Sequence, residues 1–354
     1  MPDERSPASP RLLLYAMYDA SVPGSGPRVR IALLAQALDR RCRLVRADRG
    51  RWRRLAAVPA ILWRLRQVDA VYVESPTGAT MPWDLLVLAV ARVMGRPVGV
   101  YFRDAYQLFR DLYPVTTMRQ RLADLAWRLS LAALRRLASV RFVPSTGLGD
   151  ALGFRDAVVL PPGTDPAAPD LGAGEAPVIG YVGALTVADG FDRLLTAMAI
   201  VREVVPEASL RVVGSGPTGG EPLPAWVQRV AATRDGLAAQ LADVRACAIP
   251  RPINRYTNLA RPIKLADYLS FGKPIVATAT AETVALLEPA KAAILVDDDP
   301  AAIADGLRAV LRDRDLAARL AGAARALATA PGGSWDDRAG VVVEQLSAGS
   351  PRGA

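Results

Sequence analysis

The stretch RPIKLADYLSFGKPIVAT, Arg261–Thr278, decides how this chain is read. An amphipathic helix beginning near Pro262 runs into a Gly-Lys-Pro turn, and an apolar, β-branched strand follows. That order is the repeating step of an α/β fold. On the helix Lys264 and Asp267 stand three residues apart and share one face. A cation suits a diphosphate and a carboxylate suits a vicinal diol, so the pair fits a ligand carrying both groups. It equally fits an ordinary surface ion pair.

Composition narrows the classes. With 354 residues, 51% of them apolar, the chain can bury sizeable cores, and its length suggests two domains. Cys42 and Cys247 lie far apart and match neither a metal-ligand spacing nor a disulfide framework. The opening MPDERSPASPR lacks the apolar core of a signal segment, and the apolar run Leu85 to Met94 is broken by Arg92. A cytoplasmic location follows as the expectation. The absence of histidine removes the usual general base and the commonest catalytic metal ligand, leaving carboxylates, cations and backbone dipoles. No metal and no cofactor are expected.

Charge is uneven. Residues 1 to 165 hold 25 arginines, no lysine and 14 acidic residues, a surplus of +11 in a chain of net +9. Much of it lies in Arg40 to Arg54 and in the helical pattern Met118 to Ala138, where Arg alternates with Leu and Trp. Such spacing fits peripheral contact with an anionic membrane, at the inner face of the cell membrane, with Arg51, Arg53 and Arg54 as a candidate cluster. Base bias in the coding sequence can produce the same richness in arginine. No nucleic-acid-binding motif accompanies the charge, and no nucleic-acid partner is expected.

Strands and helices alternate along the whole chain. LLLYAMY, CRLVRA, AVYVE, PVGVYF and VRFVPS read as successive strands with helices between them, which predicts a doubly wound parallel sheet. The Pro- and Gly-rich stretch Pro161 to Pro177 reads as an interdomain connection. A second series begins with VIGYVGAL and includes SLRVVGSGP, ADVRACAIP and PIVATAT. The predicted division is 1–165, 166–333, and a final segment 334–354 whose helix packs back on the first domain before a flexible tail.

Taken together, GSGPRVRIALLAQAL, PVGVYFRDAY, PPGTD, IGYVGAL, FDRLLTAMAIVREVVPEASLRVVGSGP and RPIKLADYLSFGKPIVAT resemble the retaining GT-B glycosyltransferases of family four, also called group one. The resemblance spans nearly the whole length. It implies two Rossmann-like domains facing each other across a cleft. It also implies transfer of a sugar from a nucleoside-diphosphate sugar to an acceptor hydroxyl with retention of configuration. The acceptor stays open between a lipid-linked one, in cell-envelope polysaccharide or glycolipid assembly, and a small molecule of secondary metabolism.

By the same resemblance Lys264 meets the donor diphosphate, and Asp267, where relatives carry Glu, accepts from the ribose hydroxyls. Gly183 and Gly214, Ser215 and Gly216 follow strands of the second domain, where backbone N–H groups can approach a phosphate or base. Gly24 and Gly26, with Arg28 opening the next helix, form the matching loop of the first domain. GSGPRV lacks the third glycine of a dinucleotide fingerprint, which argues against a nicotinamide-dependent oxidoreductase. Arg103 and Asp104 stand where many relatives place a His-Asp pair facing the donor sugar; the two are also placed to form a structural ion pair.

The chain departs from the family at Ala184 and Asp189, where relatives carry an Arg and a Lys on the diphosphate. Arg261, Arg251 or Arg255, from the loop RPINRYTNLARP, are candidates to work with Lys264 instead. The departures also leave open a degenerate GT-B subunit that binds a nucleotide sugar or a partner enzyme without transferring anything.

Overall fold

In the computed structural model, residues 10–18, 26–47, 50–214, 222–231 and 233–348 are described, Arg51 by its backbone only. They form two compact units, the first from residues before Pro162 other than Gly26, together with the last helix, the second from Pro162–Ser334 with Gly26. The division falls four residues before the expected one. Thr164 and Asp165 already belong to the second unit: the Thr164 hydroxyl donates to the Ala328 carbonyl at 2.8 Å, and the Asp165 amide donates to Ser270 Oγ at 2.8 Å.

In the first unit, β1 (Arg11–Ala16), β2 (Arg43–Ala47), β3 (Ala70–Glu74), β4 (Val98–Tyr101), β5 (Val140–Val143) and β6 (Val158–Val159) form one parallel sheet in the order β2-β1-β3-β4-β5-β6. Leu13 sits between Val45 and Val71 in register. All five residues of β3 are buried, as a parallel sheet covered on both faces requires. The helices are α1 (Gly26–Arg41), α2 (Arg51–Arg64), α3 (Pro82–Val93), α4 (Met118–Leu137) and α5 (Thr146–Ala151). Leu12 and Leu14 pack with Ile31 and Leu34 of α1. Tyr15 takes the opposite face, where its hydroxyl donates to Asp84 on α3 at 2.5 Å. The same carboxylate accepts both Nε and a terminal nitrogen of Arg54 on α2, at 3.1 and 3.0 Å. This buried pair joins α2 to α3, and α4 packs on the other side of α3.

In the second unit, β7 (Val178–Val182), β8 (Ser209–Val213), β9 (Val227–Val230), β10 (Ala246–Ile249), β11 (Ile275–Thr278) and β12 (Ile294–Val296) are also parallel, in the order β12-β11-β10-β7-β8-β9. Counted from the start of the unit this is the Rossmann order, whereas the first unit has the order of flavodoxin-like sheets. The helices are α6 (Phe191–Arg202), α7 (Leu237–Leu241), α8 (Ile263–Ser270), α9 (Ala281–Leu287), α10 (Pro300–Arg312) and α11 (Arg314–Thr329). On one face α6 and α10 pack Leu194, Met198, Ile303 and Leu307 against Tyr181, Leu210 and Val212. On the other, Leu265, Tyr268 and Leu269 of α8 and Ala324 of α11 cover Cys247, Ile249 and Ile275.

The last helix, α12 (Trp335–Ala348), joins the first unit, burying Trp335, Ala339, Val342 and Leu346 against its sheet. Leu346 lies so close to Gly99 on β4 that a Cβ there would meet it at 2.9 Å. Both cysteines are buried, and the Cys42 thiol donates to the Leu38 carbonyl at 3.2 Å.

Candidate functional site

In the second sheet the strand order reverses between β7 and β10, and ligands of open α/β sheets bind beyond the carboxyl ends of the strands at such a point. Immediately after β7 comes Gly183 with φ 138°, a conformation closed to most side chains. A Cβ at this position would lie 2.8 Å from Lys264 Nζ. Glycine therefore lets the lysine rest against bare backbone.

Lys264 holds that position because α8 is anchored from beneath. Leu265, Tyr268 and Leu269 are buried, and the Tyr268 hydroxyl accepts from the Val182 amide at 2.8 Å, which ties α8 to the end of β7. Lys264 lies in the first turn of the helix, with Nζ 4.2 Å from the centroid of the Tyr181 ring. The Tyr181 hydroxyl turns away to donate to the Ala184 carbonyl at 2.7 Å. The ammonium is withdrawn from water and has no hydrogen-bond partner among the described residues. Burial pushes its pKa down to about 8; Asp189 pulls it up and Arg251 presses it further down. An unsatisfied buried donor costs about 1–3 kcal/mol, and such a group calls for a partner that the protein alone does not supply.

Arg251 follows β10, the strand beside β7, and its carbonyl accepts from the Thr278 hydroxyl at the end of β11, at 2.6 Å. Its Nε is buried without a partner. Arg251 thus stands at the site, whereas Arg261 is committed elsewhere, paired with Glu282 at 3.0 Å. Arg255 is exposed.

Asp267 does not pair with Lys264, so the two make no surface ion pair. The carboxylate is buried and lies 2.6 Å from the guanidinium of Arg234. Burial raises its pKa, and Arg234 opposes that rise. Arg234 escaped sequence reasoning because it lies in the turn before α7, far upstream of Asp267, with no motif around it. The expected ribose acceptor is therefore half of an internal pair.

Gly214 directly follows β8 and lies against the Gly183 backbone, where the Gly183 amide donates to the Val213 carbonyl at 3.0 Å. Ser215, Gly216 and Gly24 lie outside the described residues. Gly26 opens α1 and is exposed, and Arg28 is half-buried in the first turn of that helix. Arg103 and Asp104 follow β4 as an ion pair at 3.2 Å; Arg103 also binds the Thr77 hydroxyl and lies 5.0 Å from the Tyr18 ring. Of the two roles open to that pair, the structural one is the contact observed. Sequence reasoning also missed Glu74, which ends β3 fully buried. It pairs with Arg30 and accepts from the Tyr72 hydroxyl at 2.9 Å, while Arg30 stacks 3.4 Å over the Tyr101 ring. Among the described residues no cluster of Cys, Asp or Glu could hold a metal ion.

Two parallel α/β units, the second with an orphan lysine at its switch point, have the GT-B fold. Residues 176–313, within the second unit, match the family model described as glycosyl transferases group 1. Among solved structures, sucrose-phosphate synthase from Thermosynechococcus elongatus is similar at TM-score 0.67 and 15% identity, over 97% of this chain and 100% of that one. Anabaena HepE in complex with UDP-glucose gives 0.67 and 17%, over 95% and 99%. WaaG, a glycosyltransferase involved in lipopolysaccharide biosynthesis, gives 0.65 and 15%, over 94% and 99%. No curated protein sequence matches the chain.

Proposed function

We propose that this protein is a retaining glycosyltransferase that takes a sugar from a nucleoside-diphosphate sugar and delivers it to an acceptor hydroxyl. The observation that carries this reading is the buried ammonium of Lys264, unpartnered and set against Gly183 at the switch point. A diphosphate oxygen there would accept its charge-assisted hydrogen bonds and relieve its desolvation. Arg251, with a free buried Nε, would be the second cation. The solved complexes of HepE with UDP and with UDP-glucose support a nucleotide donor.

In the step itself the bond from the anomeric carbon to the diphosphate oxygen breaks and a bond to the acceptor oxygen forms on the same face. The acceptor proton passes to the departing diphosphate, so a chain without histidine has no need of a separate imidazole base. The protein's task is to stabilise charge on the leaving group, where removing one preorganised donor typically costs roughly 100-fold or more in rate.

Lys264→Ala is the test. Transfer from a panel of UDP-, GDP- and dTDP-sugars should fall by roughly 100-fold or more while the fold is retained. Near-native transfer by the variant would end the assignment.

A second reading has its own support: Asp189 sets a negative charge beside Lys264, and Arg261 is taken up by Glu282. A GT-B protein weakened in this way would bind a nucleotide sugar without transferring it. Release of free nucleoside diphosphate in the presence of acceptors separates the two.

A further inference from the structure

We infer that the outward face of the layer formed by α2, α3 and α4 docks onto an anionic lipid bilayer. This goes beyond the donor-site reading and does not depend on it. The three helices lie side by side with α3 in the middle, and each carries apolar residues on an inward and on an outward side. The inward sides are accounted for by Arg54 and Ile61 on α2, Val87 and Leu88 on α3, and Trp127 and Leu134 on α4, all buried. The outward sides are not.

On α4, Met118, Leu122, Leu125 and Leu129 fall at i, i+4, i+7 and i+11, a single stripe along the helix, and every one is more than half exposed. On α2 the outward residues are Trp52, Leu55 and Trp63; on α3 they are Leu86 and Val93, the latter 89% exposed. Singly exposed apolar residues are ordinary, but three adjacent helices exposing the same side are not.

Charge selects the occupant. These helices carry ten arginines and two acidic residues, Asp84 and Asp124. Both acids are buried and already paired, Asp84 with Arg54, Asp124 with Arg110 and Arg128. The face turned outward is thus apolar with arginine alongside and no exposed carboxylate on the helices themselves. Along α4, Arg119 borders the stripe on one side, and Arg121 and Arg128 border it on the other. A second copy of the chain would bring arginine against arginine. A bilayer containing anionic lipid offers acyl chains to the Leu and Trp side chains and phosphate to the guanidinium groups. Trp suits the boundary between the two. No helix among the described residues is long and apolar enough to cross a membrane, so the contact is one that lies on the surface.

The sequence-based candidate cluster Arg51, Arg53 and Arg54 is corrected by the same geometry. Arg54 is held inside by Asp84 and cannot reach lipid. Arg53 is exposed.

The test is flotation of the full chain with vesicles of phosphatidylcholine alone and with about 30 mol% phosphatidylglycerol added. The wild type should float with the anionic vesicles, lose that binding at high salt, and bind the neutral ones weakly. Replacing the exposed stripe by Leu122→Glu, Leu125→Glu and Leu129→Glu should lower partitioning by roughly tenfold or more. Circular dichroism and nucleoside-diphosphate binding should stay unchanged in that variant, which separates this proposal from the donor-site one. No flotation of the wild type, or equal flotation of the variant, overturns it. So does a wild-type dimer that the variant abolishes without any lipid binding, which would make the face a contact between copies.

Discussion

Arg234 closes on Asp267 at 2.6 Å and holds, inside the second unit, the carboxylate one helical turn beyond Lys264. The lysine is left with no acid of its own helix to neutralise it. The acid whose charge favours its protonated form is Asp189, from the loop after β7. On the function proposed above, this ammonium is poised for an anion that arrives from outside.

That poise has a stability cost, which Lys264→Met should reveal. Replacing an unsatisfied buried cation by an apolar side chain of similar length should stabilise the folded protein by about 1–3 kcal/mol while nucleoside-diphosphate binding falls. Thermal or denaturant unfolding of the ligand-free protein checks the first part, and calorimetry the second. A variant less stable than wild type would show that the ammonium is satisfied in solution.

The pH dependence follows from the same group. The folded lysine has its pKa pushed down to about 8, below its ordinary value, so the folded state releases the proton first as pH rises. Between about 8 and the ordinary lysine range of about 10.4 the unfolded chain binds more protons, and this group's contribution to stability rises with pH; below about 8 the penalty of the buried charge is present in full. Diphosphate affinity has the opposite slope. It should be flat near neutrality and fall as pH climbs through about 8, with proton uptake on binding. Titrations in two buffers of different ionisation enthalpy measure that uptake, and binding that strengthens from pH 7 to pH 9 would contradict it.

The Arg234–Asp267 contact should behave as a coupled pair. Arg234→Ala leaves a buried carboxylate alone and should destabilise by about 1–3 kcal/mol, less than a fully enclosed pair because the arginine is one third exposed. Arg234→Ala combined with Asp267→Asn should cost less than the sum of the two single changes. Strict additivity in urea unfolding would mean that the contact carries no energy.

Asp84→Ala tests the joint between α2 and α3. It removes the acceptor of both Tyr15 and Arg54 and strands a buried guanidinium, for an expected loss of about 3–5 kcal/mol. The melting temperature should drop by on the order of 10 °C. A change of a degree or two would place this charge pair in contact with water.

At Gly183, the positive φ and the neighbouring Nζ act together. Gly183→Ala should lower diphosphate affinity by displacing the lysine and cost about 1–3 kcal/mol of stability through the strained backbone. Wild-type affinity in this variant would show that Lys264 does not need the bare backbone.

Local pattern was enough to reveal the alternation of strand and helix, the amphipathic α8 and the break near Pro161, because each depends on side chains close in sequence. The parallel sheets followed from that alternation. Lys264 was legible for the same reason, lying in the first turn of a helix whose start Pro262 marks. Which charges meet was not legible. Arg261 finds Glu282, Asp267 finds Arg234, and Arg54 finds Asp84 across 21, 33 and 30 residues, through loops and helix packing that leave no periodic trace. The two apolar sides of α4 were equally indistinct. Trp127 and Leu134 are apolar residues at helical spacing just as Leu122 and Leu129 are, and only the packing of α3 against one side left the other to solvent. Sequence set which residues were available to each element; the packing of distant elements set which of them were neutralised, which were buried, and that the Lys264 ammonium has no hydrogen-bond partner among the described residues at the switch point.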